Sequence, residues 1–297
     1  MDRSFINYTG GKYRLLSQLQ PYFPKDVTNF VDLFSGSCVV GLNARNYFYN
    51  KQRPNLFLYD INEPLVELLQ WVQNENINEI IENVNEIILE YNLTDTFTYG
   101  YSYYNVDSST GLADLNREGF NRLRETYNLN PSPLYLYVLI IFAFNNQLRF
   151  NKNGMFNTPV GKRDFNIRMR NKLINFSRSI KKPNIHIRQV DFRDVAYLDN
   201  SFYYVDPPYL ISTATYNESG GWSSRDEHDL LDYLDNINAN GGLFALSNVL
   251  QHNNKHNSIL EEWSTTYNIH HLNINYNNSN YQKRDKSFSD EVLITNY

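Results

Sequence analysis

The chain has 297 residues, which is enough for one large domain or for one core with a substantial insertion. Hydrophobic residues make up 41% of it and aromatic residues 15%, a composition that is typical of folded globular proteins and excludes a disordered or fibrous chain. The net charge of −5, taken by itself, argues against a nucleic-acid partner.

The N-terminal sequence, the apolar runs and the cysteine count indicate the cellular compartment. The opening sequence MDRSFINYTGGKYRLL lacks the apolar stretch and the small-residue cleavage site of a signal peptide. The longest apolar run, residues 134–144, is too short to span a bilayer and is typical of a buried helix. Cys38 is the single cysteine, which excludes an internal disulfide and a metal cluster of several thiolates. We therefore expect a cytoplasmic protein without a membrane segment or a metal site.

Short segments rich in β-branched and aromatic residues alternate with segments of helical periodicity along much of the chain. The predicted strands are residues 30–34, 56–59, 185–190, 202–205, 243–246, 269–276 and 292–295. Predicted helices between or beside them are residues 12–22, 64–72, 225–234 and 258–267. This alternation predicts an α/β fold whose mostly parallel sheet is covered by helices on both faces.

Near the start of the chain, two small-residue turns indicate ligand contact. In NYTGGK, two glycines before Lys12 favour a chain that closes over a ligand with Lys12 near a carboxylate, although a plain helix entry capped by Thr9 is the alternative. In FVDLFSGSCVVG, residues 30–41, a strand and an acid precede a turn that lets the backbone approach a ligand at a helix N-terminus. The spacing matches neither GxGxxG nor a P-loop, so neither a dinucleotide nor a nucleoside triphosphate is indicated.

The second predicted strand ends in Asp60. In nucleoside-binding folds, an acid after the second strand accepts hydrogen bonds from two ribose hydroxyls. A nucleoside-containing ligand is therefore indicated at this edge of the sheet.

From residue 63 the alternation gives way to helical segments, predicted at residues 63–73, 77–91, 115–127 and 132–147, and then to an Asn- and Gly-rich turn stretch at 149–163. Residues 93–111 are predicted to be a polar, tyrosine-rich loop. We predict that residues 63–170 form a helical module for target recognition, inserted into a catalytic domain made of residues 1–62 and 171–297.

Basic residues are concentrated in one part of the chain. Eleven lie between Arg149 and Arg188, where Asp164 is the only acid. This window carries a charge of +10 and the rest of the chain −15, as expected if one face binds phosphates while the remainder keeps the protein in solution. A solvated basic helix explains the same pattern.

The most informative stretch is FYYVDPPYL, residues 202–210, in which a predicted strand runs directly into Asp206, Pro207, Pro208 and Tyr209. Ligands bind at the carboxyl ends of strands in open α/β sheets. The two prolines fix φ and remove two N–H donors, which gives a rigid loop with outward-facing carbonyls. The alternative is a proline turn at the end of a strand, with the tyrosine as a packing residue.

Methylation of an aromatic amine is a reaction that suits this stretch. The lone pair of such a nitrogen is delocalised into the ring, so the nitrogen is a poor nucleophile. Hydrogen bonds from its two protons to Asp206 and to the carbonyl of Pro207 would move the nitrogen toward sp³ geometry and free the lone pair. Tyr209 would stack on the base and hold it in line with the methyl donor.

The motifs TGGK, FVDLFSGS, YDIN, VDF at 190–192, VDPPY and the terminal EVLITN together resemble the Dam-type adenine-N6 DNA methyltransferases of bacteria and phages, above all the phage Dam branch. The similarity runs from Tyr8 to Asn296 in the alpha-group order of cofactor motif, recognition insert and catalytic motif. It implies a Rossmann-like class I methyltransferase sheet of seven strands, S-adenosylmethionine as cofactor, and double-stranded DNA as partner, with no obligate protein partner.

The resemblance also implies roles for individual residues. The residues that would line the S-adenosylmethionine pocket are Tyr8, Lys12, Phe34, Gly36, Asp60, Ile61, Asp191, Phe192 and Asp206. The two small-residue turns add Gly10, Asp32, Ser35 and Ser37 to this cofactor-binding set. Asp206 to Tyr209 would hold the target adenine, and Tyr216 would help to enclose it. The base must be flipped out, because N6 of a stacked and paired adenine cannot reach a buried sulfonium.

Residues 149–163 look like the β-hairpin with which this family enters the major groove. Arginine can bind guanine O6 and N7 together, so Arg163 and Arg149 are the candidates for base reading. Asn151, Pro159 and Lys162 also belong to the expected DNA-binding set. The resemblance implies GATC as target. Gln147, however, stands where close relatives carry an apolar residue, and a glutamine there suits a contact to adenine.

Four other readings compete. Cytosine-N4 methyltransferases usually place serine before the two prolines, so Asp206 favours adenine, and cytosine-C5 chemistry is excluded because Cys38 lies in the cofactor turn rather than beside a proline. An RNA-adenine methyltransferase stays open from the catalytic motif alone, while the hairpin favours duplex DNA. An inactive DNA-binding relative would not need the full set of Asp206, Tyr209, Lys12 and Asp60.

Overall fold

The computed structural model describes residues 1–45, 47–48, 54–107, 109–211, 221–273 and 289–297. They form two compact units, each assembled from two stretches of chain. The sheet unit consists of residues 12–61 and 184–297, and the helical unit of residues 1–11 and 62–183. Within the described ranges, no helix combines the length and the apolar character that crossing a membrane requires.

The strands are β1 (Asn29–Asp32), β2 (Asn55–Asp60), β3 (Ile185–Gln189), β4 (Ser201–Val205), β5 (Leu243–His252), β6 (Lys255–His256), β7 (Asn268–Leu272) and β8 (Ser289–Thr295). The α-helices are α1 (Leu16–Leu19), α2 (Val39–Ala44), α3 (Glu63–Asn74), α4 (Ile77–Glu90), α5 (Thr96–Tyr103), α6 (Ala113–Leu129), α7 (Pro133–Phe142), α8 (Ile167–Ile180), α9 (Ser224–Ala239) and α10 (Ser258–Ser264).

The sheet unit contains one sheet, in the strand order β3-β2-β1-β4-β5-β8-β7, with the two-residue β6 paired to the end of β5. The strands from β3 to β5 in this order are parallel, and β8 and β7 are antiparallel. The predicted α/β fold with a mostly parallel sheet of seven strands is therefore confirmed. Strand β6 was not predicted because two residues are too few to show a periodicity.

Successive side chains of β4 point to opposite faces of the sheet, and each face packs against an apolar layer. Phe202 and Tyr204 face one side, where the ring centroid of Phe23 lies 5.1 Å from that of Phe202 and 5.7 Å from that of Tyr204. Tyr203 and Val205 face the other side and pack in a core cluster that includes the apolar face of α9. Because both faces of β4 are buried, its register is set, and the residue that follows it has a defined position.

In the helical unit, α7 is the central element. All residues from Leu136 to Phe142 are at most 1% exposed, and Ser132 caps the helix by accepting a hydrogen bond from the Tyr135 N–H. The predicted helix over 132–147 is wrong beyond Phe142. Ala143 has an extended backbone and forms an antiparallel bridge with Val160. The helix ends at Phe142 because this pairing competes with further helical turns.

The boundary of the helical unit differs from the predicted one at residue 170, which lies inside α8. Leu173 and Phe176 on this helix are buried, and the Gln73 side chain of α3 donates a hydrogen bond to the carbonyl of Ile180 at 3.2 Å. The sequence did not reveal this apolar face because α8 also contains many basic residues. The predicted domain boundary at residue 170 therefore falls inside this helix.

The prediction of a loop over residues 93–111 is also wrong in part, since these residues include α5. Asp95 caps this helix by accepting a hydrogen bond from the Thr98 N–H, and Gly100 at φ 72° divides it into two turns. The aromatic residues of this short, kinked helix follow no helical period, which is why the pattern did not reveal it.

Candidate active site

Three acidic residues lie at the carboxyl ends of three adjacent parallel strands. Asp32 ends β1, Asp60 ends β2, and Asp206 directly follows β4. The strand order reverses direction between β1 and β4, and such a switch point is where open α/β sheets bind ligands. In the part of the chain that the structure describes, no group of three acidic, histidine or cysteine side chains is arranged to hold a metal ion.

Lys12 balances the charge of Asp206. Its ammonium nitrogen lies 2.7 Å from both carboxylate oxygens of Asp206, which is 194 residues away in the chain. Lys12 is 8% exposed and Asp206 16% exposed, so the ion pair is largely shielded from water. The Tyr209 hydroxyl donates a hydrogen bond to Asp206 Oδ1 at 3.1 Å, and Lys12 Nζ lies 5.0 Å from the centroid of the Tyr209 ring. We call Lys12, Asp206 and Tyr209 the catalytic corner.

The protonation states in the catalytic corner follow from its burial. Burial raises the pKa of the Asp206 carboxyl, while the charge and the hydrogen bonds of Lys12 oppose that rise. Burial, followed by the negative charge of Asp206, raises the pKa of the Tyr209 hydroxyl well above its ordinary value. Tyr209 is therefore a neutral donor at neutral pH, and Lys12 favours the ionised form of Asp206, which accepts hydrogen bonds.

The loop that carries Asp206 is stiff. Pro207 is buried, whereas Pro208 and Tyr209 are half-buried. Neither proline has a backbone N–H, and each has a restricted φ, so the loop has few alternative conformations. A partly exposed Tyr209 ring held by such a loop can present its face to a flat ligand.

The turn after β1 is tied to the end of β2. The Gly36 N–H donates to Asp60 Oδ2 at 2.8 Å, and the Ser35 N–H donates to the Tyr59 carbonyl at 2.7 Å. Ser35 and Ser37 are both buried. A turn of small residues thus brings the backbone against Asp60, as the sequence pattern predicts.

Cys38 follows this turn with φ at 61°, a left-handed conformation that costs a residue with a side chain about 1 kcal/mol or more. Its N–H donates to the Ser35 carbonyl at 2.7 Å, which holds the conformation. The side chain is fully buried, and burial raises the pKa of the thiol. A buried thiol of raised pKa is a poor nucleophile, which agrees with the exclusion of cytosine-C5 chemistry.

An aromatic wall formed by Phe34, Phe192 and Trp222 stands beside these turns. The ring centroid of Phe34 lies 5.5 Å from that of Phe192 and 5.6 Å from that of Trp222, and Phe192 and Trp222 are 5.9 Å apart. Sequence reasoning selected Phe34 and Phe192 but missed Trp222, because an isolated tryptophan ahead of a helix has no motif around it.

The indole of Trp222 is held by a buried acid. Its N–H donates to Glu227, whose carboxylate also accepts hydrogen bonds from the side-chain amides of Asn248, at 3.3 Å, and Asn257, at 2.7 Å. Glu227 is fully buried, and burial raises the pKa of its carboxyl. The sequence contained a signal for this network in the LSNV stretch at 246–249, which supplies Asn248.

Asp191 lies in an exposed ion-pair cluster. Its carboxylate accepts a hydrogen bond from the Arg193 N–H at 3.0 Å and lies 3.2 Å from the Arg193 guanidinium, which also pairs with Asp226 and Asp229. The charge of Asp191 is therefore already compensated within the protein, and its predicted contact with the cofactor stays a prediction.

Four other expected residues are not assigned to the site by this geometry. Ile61, at the end of β2, is 64% exposed. Tyr8 and Gly10 belong to the helical unit. Tyr216 lies outside the described residues. Their roles in binding the cofactor or the target base stay predictions.

Asp32 is the least compensated of the three strand-end acids. It is 1% exposed, and among the described residues its Oδ1 has no hydrogen-bond partner. Burial, and next the negative charge of Asp206, raise the pKa of Asp32 well above its ordinary value. A carboxyl whose pKa is higher in the folded than in the unfolded state destabilises the fold as the pH rises through the folded-state pKa.

We therefore expect Asp32→Asn to raise the free energy of unfolding at neutral pH by about 1–3 kcal/mol, because the substitution removes the cost that burial places on an ionisable carboxyl. Thermal unfolding between about pH 5 and pH 8 measures this, and the gain should grow as the pH rises. Asp114→Asn, at a position 92% exposed, is the matched control and should change little. A variant no more stable than the wild type across this range would contradict the assignment.

In the helical unit, residues 149–157 form an irregular hairpin. Phe150 and Phe156 pair in an antiparallel bridge, and the Asn151 N–H donates to the Met155 carbonyl at 2.9 Å. The Arg149 guanidinium donates to the side-chain oxygen of Asn157 at 2.8 Å and to its carbonyl at 3.0 Å. Arg149 thus joins the two arms of the hairpin.

The other expected DNA-binding residues have different surroundings. Asn151 shapes the tip, because its side-chain oxygen accepts hydrogen bonds from two backbone N–H groups of the turn. Gln147 is half-buried, and its carbonyl accepts a hydrogen bond from the Thr158 hydroxyl at 3.1 Å. Pro159, Lys162 and Arg163 are exposed. Lys162 and Arg163 are therefore accessible cations beside the hairpin.

The basic window between residues 149 and 188 contains a buried arginine and extends over both units. Arg170 is 7% exposed, donates to Asn85 at 2.7 Å, and stacks over Phe97 with its guanidinium carbon 4.1 Å from the ring centroid. Arg188 lies on β3, in the sheet unit. Arg170 is therefore held inside the helical unit, so fewer residues of the window can meet phosphates than the sequence indicates.

Comparison with known proteins identifies the family. The family of D12 class N6 adenine-specific DNA methyltransferases matches residues 8–278. The chain is 37% identical over 310 residues to the modification methylase StsI of Streptococcus sanguinis, and 39% identical over 304 residues to the type II methyltransferase M.FokI of Planomicrobium okeanokoites; each alignment covers 99% of this chain and 43% of the relative. The chain therefore spans less than half the length of these two relatives.

A third similarity is to the DNA adenine methylase of Escherichia coli strain K12, with 26% identity over 219 residues, which covers 73% of this chain and 68% of that protein. The family match extends over most of both units and includes all three residues of the catalytic corner. The chain belongs to the D12 class of N6 adenine-specific DNA methyltransferases.

Proposed function

We propose that this chain transfers a methyl group to N6 of an adenine that is flipped out of duplex DNA within a short site. The catalytic corner at the carboxyl end of β4 is the observation that carries this proposal. The D12 family uses S-adenosylmethionine, which when bound supplies a methyl group activated on a sulfonium sulfur. The sheet unit would hold the cofactor and the reacting base, and the helical unit would recognise the target.

The residues of the sheet unit fit this cofactor. The unpaired Asp32 Oδ1 and the neighbouring Asp206 suit the ammonium group of its methionine end. Asp60 suits the ribose hydroxyls, because its position after the second strand is the one that nucleoside-binding folds use. The aromatic wall beside the turn suits the adenine ring, which stacks on aromatic side chains.

The chemistry assigned to the catalytic corner is hydrogen-bond acceptance rather than strong base catalysis. Asp206 and the carbonyl of Pro207 accept the two N6 protons, and Tyr209 stacks on the base and orients it. Lys12 favours the ionised form of Asp206 and so opposes the effect of burial on its pKa. A strong base is not required, because the amine loses its proton only after the new C–N bond has formed. The burial of the ion pair strengthens each of these electrostatic interactions.

We propose that the hairpin and its flank read the DNA. Arg163 is the first candidate for a bidentate contact to guanine, because it is exposed beside the hairpin, whereas the Arg149 guanidinium joins the two hairpin arms. Asn151 and Pro159 would shape the hairpin in the groove, and Lys162 would bind phosphate. Residues 8, 10, 61, 191 and 216 keep the cofactor and base contacts that the family resemblance implies.

For the target we propose GATC as the sequence to be tested first, with another short site as the alternative. Gln147 favours a different contact at the central base pairs. The higher identity to two modification methylases than to a DNA adenine methylase supports a role in restriction and modification. RNA adenine is the second candidate substrate, since the catalytic corner alone does not distinguish it from DNA adenine.

Expression in a bacterial host that lacks adenine methylation, followed by sequencing that detects modified bases, tests the proposal. We expect N6-methyladenine within one short sequence of the host DNA. Modification of GATC would establish the implied target, and modification of another site would replace it. Unmodified DNA together with methylated RNA, or N4-methylcytosine in place of N6-methyladenine, would overturn the proposal.

We expect Arg163→Ala to weaken discrimination at one guanine of the site by about 1–3 kcal/mol while changing non-specific binding little, because a bidentate base contact is lost. Competition binding with duplexes substituted at each position measures this. Arg178→Ala, an exposed arginine on α8, is the matched control. An equal loss of affinity for all sequences, with a shallower salt dependence, would instead make Arg163 a phosphate contact.

A further inference from the structure

The tyrosine segment, defined as residues 94–107 and 109–112, has no place in the function derived so far. It contains α5 and an exposed group of aromatic side chains: Phe97 is 49% exposed, Tyr99 55% and Tyr103 65%. The rings of Tyr99 and Tyr103 stack on each other, with centroids 4.8 Å apart and planes inclined by 26°. A stacked pair of largely exposed tyrosines is a common feature of binding surfaces, because the ring is apolar and the hydroxyl forms hydrogen bonds.

The N-terminal end of the tyrosine segment is firmly anchored. The Thr94 N–H donates to the side-chain oxygen of Asn116 at 2.7 Å, and the Asn116 amide donates back to the Thr94 hydroxyl at 2.9 Å. Both residues are buried. The guanidinium of the buried Arg170 stacks against Phe97. The exposed rings are therefore carried by a fixed element and not by a free loop.

The segment is bonded to three consecutive residues that follow the hairpin. The Lys162 ammonium donates to the Ser109 carbonyl at 3.0 Å, and the Arg163 guanidinium donates to the Tyr101 hydroxyl at 3.4 Å. Both oxygens of the next residue, Asp164, accept hydrogen bonds from Thr96, at 2.6 and 2.8 Å. The tyrosine segment thus holds the side chains of the two exposed cations beside the hairpin.

The contact with Lys162 also constrains the sequence of the segment. Gly111 has φ at +75°, and a Cβ atom there would lie 2.6 Å from Lys162 Cβ. The Leu112 N–H donates to the Lys162 carbonyl at 3.2 Å. Only glycine allows this left-handed conformation and this close approach together. The tyrosine segment and the exposed cations Lys162 and Arg163 therefore form one continuous surface in the helical unit.

We propose that the tyrosine segment is a second DNA-contacting element, in which Tyr99 and Tyr103 bind the duplex beside the base pairs read from the hairpin. The inference rests on the proposed function for the identity of the ligand. Continuity favours DNA over a protein partner, because the segment is hydrogen-bonded to Lys162 and Arg163, the exposed cations that the proposed function places against DNA. Tyrosine hydroxyls donate to phosphate oxygens, and the rings pack on the sugars of the flanking nucleotides.

The double variant Tyr99→Ala/Tyr103→Ala tests this proposal. We expect the dissociation constant for a duplex that carries the mapped site to rise by about tenfold, with kcat at saturating DNA unchanged. The wild type should bind a duplex with long flanks more tightly than one cut close to the site, and the variant should lose this preference. Tyr99→Phe/Tyr103→Phe keeps the rings and should restore part of the affinity.

Leu89→Ala/Leu129→Ala is the matched control, because it removes two exposed apolar side chains, 79% and 88% exposed, elsewhere on the helical unit. Equal affinity of the tyrosine variant and the wild type for both duplexes would overturn the inference. So would a change in oligomeric state without DNA, measured by sedimentation velocity, since the pair would then join two copies of the chain. If the wild type binds DNA tightly but transfers no methyl group, the proposed function is contradicted. The contact of the tyrosine segment with DNA can still be measured by binding in that case.

Discussion

Asp206→Ala should lower kcat for methyl transfer by about 10²- to 10⁴-fold, the range that removal of a single positioned catalytic group or oxyanion-hole contact usually costs. Asp206 is 2.7 Å from Lys12 and 3.1 Å from Tyr209, so its removal takes away the acceptor for N6 and releases both neighbours. Single-turnover transfer of a tritiated methyl group from S-adenosylmethionine to duplex DNA measures the effect.

The control separates chemistry from folding. Asp229→Ala removes a half-buried carboxylate of the Arg193 cluster and should leave the single-turnover rate close to that of the wild type. Far-ultraviolet circular dichroism should show the same helix content in both variants. If the Asp206 variant retains the wild-type rate, Asp206 does not have the role assigned here.

Lys12→Met should produce the second large effect. Without the ammonium group, only the Tyr209 hydrogen bond opposes the effect of burial on Asp206, so the pKa of this carboxyl should rise further above its ordinary value. Because the ionised carboxylate is the acceptor for N6, the acid limb of the kcat profile should move to higher pH. Breaking a buried ion pair should also cost about 3–5 kcal/mol of folding free energy.

The sign of the pH effect on stability follows from the same shift. A carboxyl with a raised folded-state pKa is tolerated below its unfolded-state pKa and destabilises the fold as the pH rises through the folded-state pKa. Lys12→Met should therefore unfold more easily at about pH 8 than at about pH 5, relative to the wild type, in thermal melts. Lys12→Arg keeps the positive charge and is the control. An unshifted kcat profile in the methionine variant would contradict the coupling of Lys12 to Asp206.

The parts of the fold that follow from local patterns could be predicted. Short apolar segments bounded by acids and turns indicated each strand of the seven-strand order, and the position of VDPPY at the end of β4 followed from the strand before it. The helix α7 was predicted as buried because nearly all of its residues are apolar. Its end was not predicted, because Ala143 pairs with Val160, a partner distant in sequence.

In the site, too, local patterns were predicted and contacts between distant residues were not. The sequence indicated a carboxylate near Lys12, but not which one, because the two residues of the ion pair are 194 positions apart. Trp222 joins Phe34 and Phe192, with its indole held by Glu227, only after α9 has packed on the sheet. The helix in the tyrosine segment depends on a cap from Asp95 and on bonds to Asp164, which no local period reveals.

Nucleoside analysis of the product tests the central assignment most directly. Duplex DNA is incubated with the protein and S-adenosylmethionine that carries a labelled methyl group, digested to nucleosides, and analysed by mass spectrometry. We predict that the label appears in N6-methyldeoxyadenosine with the wild type and is lost with Asp206→Ala. Label in a methylated cytosine, or an equal yield of N6-methyldeoxyadenosine from the variant, would contradict it.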